Sequence, residues 1–138
     1  MKTRIAVASL ILVLLAAGLS IYLYSRTSNT LIAEAANHLS FLSGSFIHLP
    51  SWITFVLPDV LWMAALSLTI LLVWNFRIDR QSLSWYSIAW FGGMAMEFFQ
   101  KLHWIGGTFD PQDIIGMSLG WLIPLTCIGL KKYIWKTN

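Results

Sequence analysis

Hydrophobic residues in this chain are concentrated in four long runs, and polar residues fall mainly between them. The runs extend over about residues 5–24, 58–76, 83–100 and 111–130. About 20 apolar residues in a helix, at a rise of 1.5 Å per residue, cross the roughly 30 Å hydrocarbon core of a bilayer. The pattern therefore predicts an all-α integral membrane protein, a single domain over residues 1–138 built as a four-helix transmembrane bundle.

The composition supports a membrane environment and excludes several other classes of protein. Hydrophobic residues make up 57% of the chain and charged residues only 11%, with a mean hydropathy of +0.69, values that exclude an ordinary water-soluble domain. The net charge of +3 comes from basic residues beside the apolar runs, so we expect the lipid bilayer and not nucleic acid as a partner. The single cysteine, Cys127, excludes an intramolecular disulfide and a Cys-x-x-Cys metal site. No cofactor is predicted.

The first run and the distribution of lysine and arginine predict the topology. The first run is longer than the roughly 7–15 apolar residues of a secretory signal peptide and ends with Tyr22 and Tyr24, which favours a retained anchor. Cytoplasmic segments are enriched in lysine and arginine. With the N-terminus inside, only Arg26 and Lys101 fall outside, so both termini are predicted to be cytoplasmic. The inner residues are Lys2, Arg4, Arg77, Arg80, Lys131, Lys132 and Lys136.

The connection between the first and second runs is predicted to lie outside the cell and to contain a helix. Asn29 or Thr30 is suited to cap a short helix over residues 31–43, with leucines on one face and polar residues on the other. Gly44 and Pro50 would end this helix. Such an amphipathic segment would lie in the membrane interface between spans one and two.

Aspartates open both helices that run inward from the outside. Pro58 and Pro111 fit the first helical position, where no backbone N–H is needed. Asp59 follows in the first turn of the second span. In the fourth span Asp110 fits the N-cap and Asp113 the third position, an arrangement close to a capping box. Capping of free N–H groups accounts for Asp110 without any further function.

Glu97 requires a different explanation. It lies near the C-terminal end of the third span, where the helix dipole disfavours an anion and an apolar environment makes a charge costly. Trp90, Gly93 and Gln100 share its face at spacings of three and four, and Gly93 permits close approach of another helix. In the fourth span the G-x-x-x-G pattern over residues 116–120 provides a similar groove. Ordinary helix packing also accounts for these glycines.

Antiparallel packing of the third and fourth spans through these faces would gather polar residues at the outer end, with Lys101 just above them. Two carboxylates about 5 Å apart at an effective dielectric constant near 20 repel by roughly 3 kcal/mol. A shared proton, a cation or a cationic group of a ligand would relieve that repulsion. Structural polar packing is the alternative. The candidate ligand-binding residues are Glu97, Gln100, Asp110, Asp113, Asp59 and His103. A metal site at His103 lacks a known ligand spacing, so no metal is predicted.

Two polar motifs follow one another in the second half of the chain, E-F-F-Q and then G-T-F-D-P-Q-D-I-I-G-M-S-L-G. They resemble the VanZ-like family of small bacterial membrane proteins, named for a member associated with low-level resistance to the glycopeptide teicoplanin. The family pattern is E-x-x-Q followed by R-S-x-D-x-x-D-x-x-x-N-x-x-G. The matching positions are Glu97, Gln100, Thr108, Asp110, Asp113 and Gly120. Gly107 replaces the usual arginine, and Met117 replaces the usual asparagine.

The resemblance implies a multi-pass protein of the bacterial cytoplasmic membrane with a role in the cell envelope. Arginine at position 107 would supply a permanent cation to the aspartates, and asparagine at position 117 would supply a hydrogen-bonding amide. The chain has neither, although Lys101 could replace part of the charge. The resemblance therefore implies either a divergent branch with a different ligand or a branch that keeps the architecture and has lost the family activity.

Three function classes follow. The first is a VanZ-like envelope protein that binds a polar or amine-bearing ligand, such as a lipid-linked wall precursor or a glycopeptide, or contributes to teicoplanin-type resistance. The second is a membrane enzyme acting on an envelope substrate, with Glu97 as general acid or base and Asp113 as its ionised partner. The third is a structural or assembly subunit with a membrane protein partner. A proton-coupled transporter is disfavoured because the charges lie at one face. Whether the protein is an enzyme stays open.

Overall fold

The computed structural model describes residues 2–25, 49–106 and 108–137. Within these ranges the chain forms helices and no strand, which confirms the all-α prediction. The predicted interfacial helix over residues 31–43 and Gly107 lie outside the described residues. The helices are α1 (Lys2–Ser25), α2 (Ser51–Phe55), α3 (Leu57–Val73), α4 (Arg80–Lys101) and α5 (Pro111–Thr137).

Three of the described helical segments are long and apolar enough to cross a membrane. They are Lys2–Leu23, Ser51–Val73, which joins α2 to α3, and Pro111–Gly129. This is compatible with a multi-pass membrane protein. Helix α4, the third predicted span, has 22 residues but does not belong to this apolar set. That α4 also crosses the membrane stays a prediction.

Helix boundaries differ from the predicted ones where short-range geometry decides them. The second span begins at Ser51 and not at Pro58, because the chain is helical on both sides of Val56, which is the N-cap of α3. Pro58 therefore occupies the second helical position. The last helix continues beyond residue 130 to Thr137, and a buried proline, Pro124, lies within it.

Helix α3 lies between α1 and α5, and glycines on both neighbours make the contacts close. The indole of Trp62 occupies the position that a Cβ of Gly18 on α1 would take. On α5, a Cβ of Gly120 would collide with the backbone oxygen of Val60, and one of Gly116 would lie 2.9 Å from Cγ1 of Val56. The G-x-x-x-G groove of α5 therefore receives α3. This corrects the prediction that it receives the third span.

These contacts order the helix directions. Helices α3 and α5 run parallel, because residue 120 of α5 contacts later residues of the α3 segment than residue 116 does. Helix α1 runs antiparallel to α3, because Thr3 at the start of α1 and Phe76 beyond the end of α3 line one cavity. The basic end of the bundle is defined by Lys2, Arg4, Arg77 and Arg80. The acidic end is defined by Asp59, Glu97, Asp110 and Asp113.

The connections on either side of α4 use left-handed backbone without glycine. Asn75 and Phe76 precede α4 with φ of 53° and 58°. After α4, His103 has φ of 57°, and the N–H of Trp104 bonds the carbonyl of Phe99 at 3.0 Å, which is the Schellman pattern of a helix C-terminus. Left-handed backbone costs a non-glycine residue roughly 1–2 kcal/mol. Local backbone hydrogen bonds close both turns, since the N–H of Phe76 likewise bonds the carbonyl of Leu71 at 2.7 Å.

Candidate functional site

Helices α4 and α5 pack antiparallel through a series of aromatic and polar contacts. Nearest the basic end, the hydroxyl of Tyr86 donates to the backbone carbonyl of Trp121, and the indole N–H of Trp121 donates to the carbonyl of Tyr86 at 3.0 Å. The two ring centroids lie 5.4 Å apart. One turn further along, the indole N–H of Trp90 donates to the hydroxyl of Ser118 at 3.1 Å. These reciprocal bonds set the register of the two helices.

The register continues to the acidic end through Gly93. A Cβ at this glycine would lie 2.8 Å from the sulfur of Met117 on α5 and 3.1 Å from the terminal methyl of Met63 on α3. Methionine thus fills the space beside Gly93, at the position where the resembling family has asparagine. One turn beyond this contact, α4 presents Glu97 to the first turn of α5.

Glu97 is buried although it is a carboxylic acid near a helix C-terminus. Only 7% of its surface is exposed. The backbone N–H of Asp110 hydrogen-bonds its carboxyl group, and the negative charges of Asp113 and Asp110 act on it. Its Oε2 atom has no hydrogen-bonding partner among the described residues. A buried carboxylate oxygen without a donor is costly, because it has lost water and gained nothing in exchange.

Two aspartates lie at the N-terminal end of α5, where a cap was predicted. Oδ1 of Asp110 accepts the backbone N–H of Gln112 at 2.8 Å, which confirms Asp110 as the N-cap. The N–H of Asp113 bonds the backbone carbonyl of Asp110 at 3.1 Å. Both carboxylates are partly buried. Together with Glu97 they form what we call the carboxylate cluster.

The other residues considered in the sequence analysis differ in burial and contacts. Gln100 is partly buried on the Glu97 face of α4, whereas His103 is exposed in the left-handed turn beyond it. The ammonium group of Lys101 lies 5.2 Å from the ring centroid of Phe109, in cation–π geometry. Asp59 is partly buried in the first turn of α3. Its participation in the cluster stays a prediction.

Several buried residues on the helices that position the carboxylate cluster were not among the candidates predicted from the sequence. Tyr86 is 1% exposed and Ser67 on α3 is fully buried, and neither was a candidate. The stripe through Trp90 and Glu97 extends one turn back to Tyr86, so continuing the helical spacing would have found that residue. The partners Ser118 and Trp121 could not have been chosen in this way, because spacing along one helix does not identify residues on another.

The cluster can exchange a proton or hold a cation, and the described residues suggest no metal centre. No group of three or more His, Cys, Asp or Glu side chains in the described ranges is arranged to bind a metal ion. The three carboxyl groups repel one another when ionised, and a donor facing Oε2 of Glu97 would relieve both the repulsion and the missing hydrogen bond. An ammonium group satisfies both requirements.

Comparison with known proteins does not identify a family for this chain. No family model matches the chain, and neither a curated protein nor a solved structure matches it. The resemblance to the VanZ-like family therefore stays a prediction.

Proposed function

We propose that this protein binds the cationic group of an amine-bearing envelope ligand at the carboxylate cluster. The observation that carries the proposal is the buried Glu97 side chain, whose Oε2 lacks a partner in the described part of the chain beside the charges of Asp110 and Asp113. A primary ammonium group has three N–H donors and a positive charge, and charge-assisted hydrogen bonds to carboxylates are about twice as strong as neutral ones.

The proposal includes a membrane topology of four spans, in which α4 is the third. Its inner face carries the polar residues that face α5, which lowers its mean hydropathy, but its outer face exposes large apolar side chains suited to lipid: Leu83, Trp85, Ile88, Phe91 and Phe98. With four spans both termini lie on one side. The basic end is then cytoplasmic and the carboxylate cluster faces outward in a bacterial cytoplasmic membrane.

The resemblance to the VanZ-like family supports an envelope ligand of this kind. Lipid-linked wall precursors and glycopeptides such as teicoplanin both meet the outer face of the cytoplasmic membrane, and both can carry free amines. In this chain the family arginine and asparagine are replaced by Gly107 and Met117. Without the arginine, the cation would come from the ligand. A contribution to teicoplanin-type resistance is part of the proposal.

The test is a binding measurement with purified protein in detergent micelles. The probe is a lipid-linked wall precursor with one free amine on its peptide, and its N-acetylated form is the matched control. We expect the acetylated probe and the Glu97→Gln variant each to bind at least about tenfold more weakly, because a hydrogen bond to a charged group contributes about 1.5–3 kcal/mol. Asp79→Asn, which changes a carboxylate at the basic end, should bind like the wild type. Equal affinity for the free and acetylated probes would rule out an amine site.

An assembly subunit is the second candidate, and one observation favours it. Tyr86, Trp90 and Trp121 form hydrogen bonds between helices, and such bonds stabilise the pairing of membrane helices, which supports a structural role for polar groups in this chain. If Glu97 has the same structural role, Glu97→Gln should reduce the amount of folded protein in the membrane. Normal accumulation of this variant, together with loss of amine binding, would exclude that role.

A further inference from the structure

A second feature lies on the side of the bundle, away from the carboxylate cluster. Helices α1, α3 and α5 enclose an apolar groove with a volume of about 780 Å³. This volume lies within the range of roughly 300–1,000 Å³ that is usual for small-molecule sites. Its walls include Leu10, Leu14, Leu61, Leu68, Ile123 and Cys127. The proposed amine site makes no use of it.

Among the described residues, the groove has polar lining side chains at one end, and basic residues adjoin that end in the chain. Thr3 and Asn75 line it at the basic end of the bundle, next to Phe76, whose left-handed backbone places it in the groove wall. Exposed basic residues adjoin these positions in the chain, since Lys2 and Arg4 flank Thr3 and Arg77 follows Phe76. The shape and charge therefore suit a molecule with an anionic head and an apolar tail.

Along α1 the groove has about the length of one leaflet, whereas along α3 and the turn after it the lining extends further, from Val60 to Phe76. Along α1 its lining runs from Thr3 to Leu14, which is about 16 Å at 1.5 Å per residue. Half of the hydrocarbon core is about 15 Å thick. A tail that enters at the basic end would thus reach the middle of the membrane beside Leu14, where the groove ends on α1.

We propose that this groove binds one acidic phospholipid, with an acyl chain between α1, α3 and α5 and its phosphate group near Lys2, Arg4 and Arg77. Zwitterionic lipids carry the same tails, so the apolar walls alone would not distinguish them. The basic residues supply the selectivity, because clusters of lysine and arginine beside membrane helices attract anionic headgroups.

Native mass spectrometry of the detergent-purified protein tests the proposal. The probes are phosphatidylglycerol and phosphatidylcholine with identical acyl chains, added in equal amounts. We expect one retained phosphatidylglycerol per chain, favoured about fivefold or more over phosphatidylcholine. Equal retention of the two lipids would overturn the proposal. A dominant mass of two protein chains without lipid would also overturn it, because a second copy would then occupy the groove.

Two matched pairs of variants locate the bound lipid. Leu10→Trp narrows the groove, whereas Leu12→Trp changes an exposed leucine of the same helix outside it. On α5 the corresponding pair is Cys127→Trp and Leu122→Trp. We expect loss of retained lipid only in the first member of each pair. Because two pairs are used, the comparison can still be made if one groove variant fails to fold. Equal lipid loss in both members would place the lipid elsewhere.

A charge-removal pair tests the headgroup contact. Arg77→Gln should reduce the preference for phosphatidylglycerol about fivefold, whereas Lys101→Gln at the acidic end should leave it unchanged. An unchanged preference in a double variant that combines Arg4→Gln with Arg77→Gln would overturn the assignment of the headgroup. Binding of the amine probe to these variants is measured in parallel, because failure of one site leaves the other untouched.

Discussion

Helix α4 has a carboxylate at each end, and the structure holds the two in opposite ways. Asp79 is exposed at the N-terminus, accepts the Ser82 N–H at 2.8 Å, and donates its own backbone N–H to the Ser82 hydroxyl at 3.0 Å. Glu97 is buried near the C-terminus beside two other carboxylates. The helix dipole favours the first and opposes the second. Helix formation accounts for Asp79, whereas Glu97 imposes a cost that helix formation does not explain.

The two carboxylates also depend on different parts of the molecule. The capping box of Asp79 is complete within four consecutive residues, so it needs only α4. The environment of Glu97 requires α5 in its present register, which in turn requires the contact of Gly120 with α3. The comparison therefore distinguishes a local structural carboxylate from one that tertiary packing has created, and only the second is a candidate for function.

The largest predicted effect comes from disrupting the contact between α5 and α3, on which Glu97 depends and Asp79 does not. Gly120→Leu should push α5 away from α3, because its Cβ would meet the backbone oxygen of Val60, and overpacking typically costs about 1–3 kcal/mol or more. We expect a clear fall in the unfolding temperature in detergent and loss of amine binding. Gly92→Leu is the control, since nothing lies within 4 Å of a Cβ at that position. Similar behaviour of the two variants would show that the close contact is unimportant.

The second prediction concerns the sign of stability changes at the two ends. Asp79→Ala should lower the unfolding temperature by a few degrees, because it removes an N-cap. Glu97→Gln should leave the unfolding temperature at or above the wild-type value, since it removes a buried acid and its repulsion from neighbouring carboxylates. Thermal unfolding in micelles measures both. A strong destabilisation by Glu97→Gln would mean that this carboxylate is structural after all.

The smallest predicted effect is a pH dependence at the basic end. The hydrogen bond from the Ser82 backbone N–H holds the pKa of the Asp79 carboxyl below the ordinary aspartate value of about 3.9. Because the pKa is lower in the folded state, the cap stabilises the protein fully above the unfolded value, and this contribution is lost as the pH falls through the folded value. The difference in unfolding temperature between wild type and Asp79→Ala should therefore be constant near pH 6 and shrink below about pH 4. A difference that grows on acidification would contradict this sign.

Features that depend on neighbouring residues and on the solvent could be predicted from the sequence alone. Its apolar runs predicted a helical membrane protein, because a bilayer requires long helices whose backbone groups are satisfied internally. Asp110 before Pro111 predicted a cap that the structure contains, since capping needs only two or three adjacent residues. The spacing of Trp90, Gly93 and Glu97 predicted a shared face for the same reason.

Which helix surfaces meet could be read only from the folded chain. A G-x-x-x-G pattern shows that a backbone can approach closely, but it does not identify the approaching helix, and the structure places α3 there. The partner of Tyr86 lies 35 residues away in the chain, and the groove between α1, α3 and α5 draws on three separate helices. Burial of Glu97 belongs to the same class, because a side chain loses water only when the helices around it have assembled.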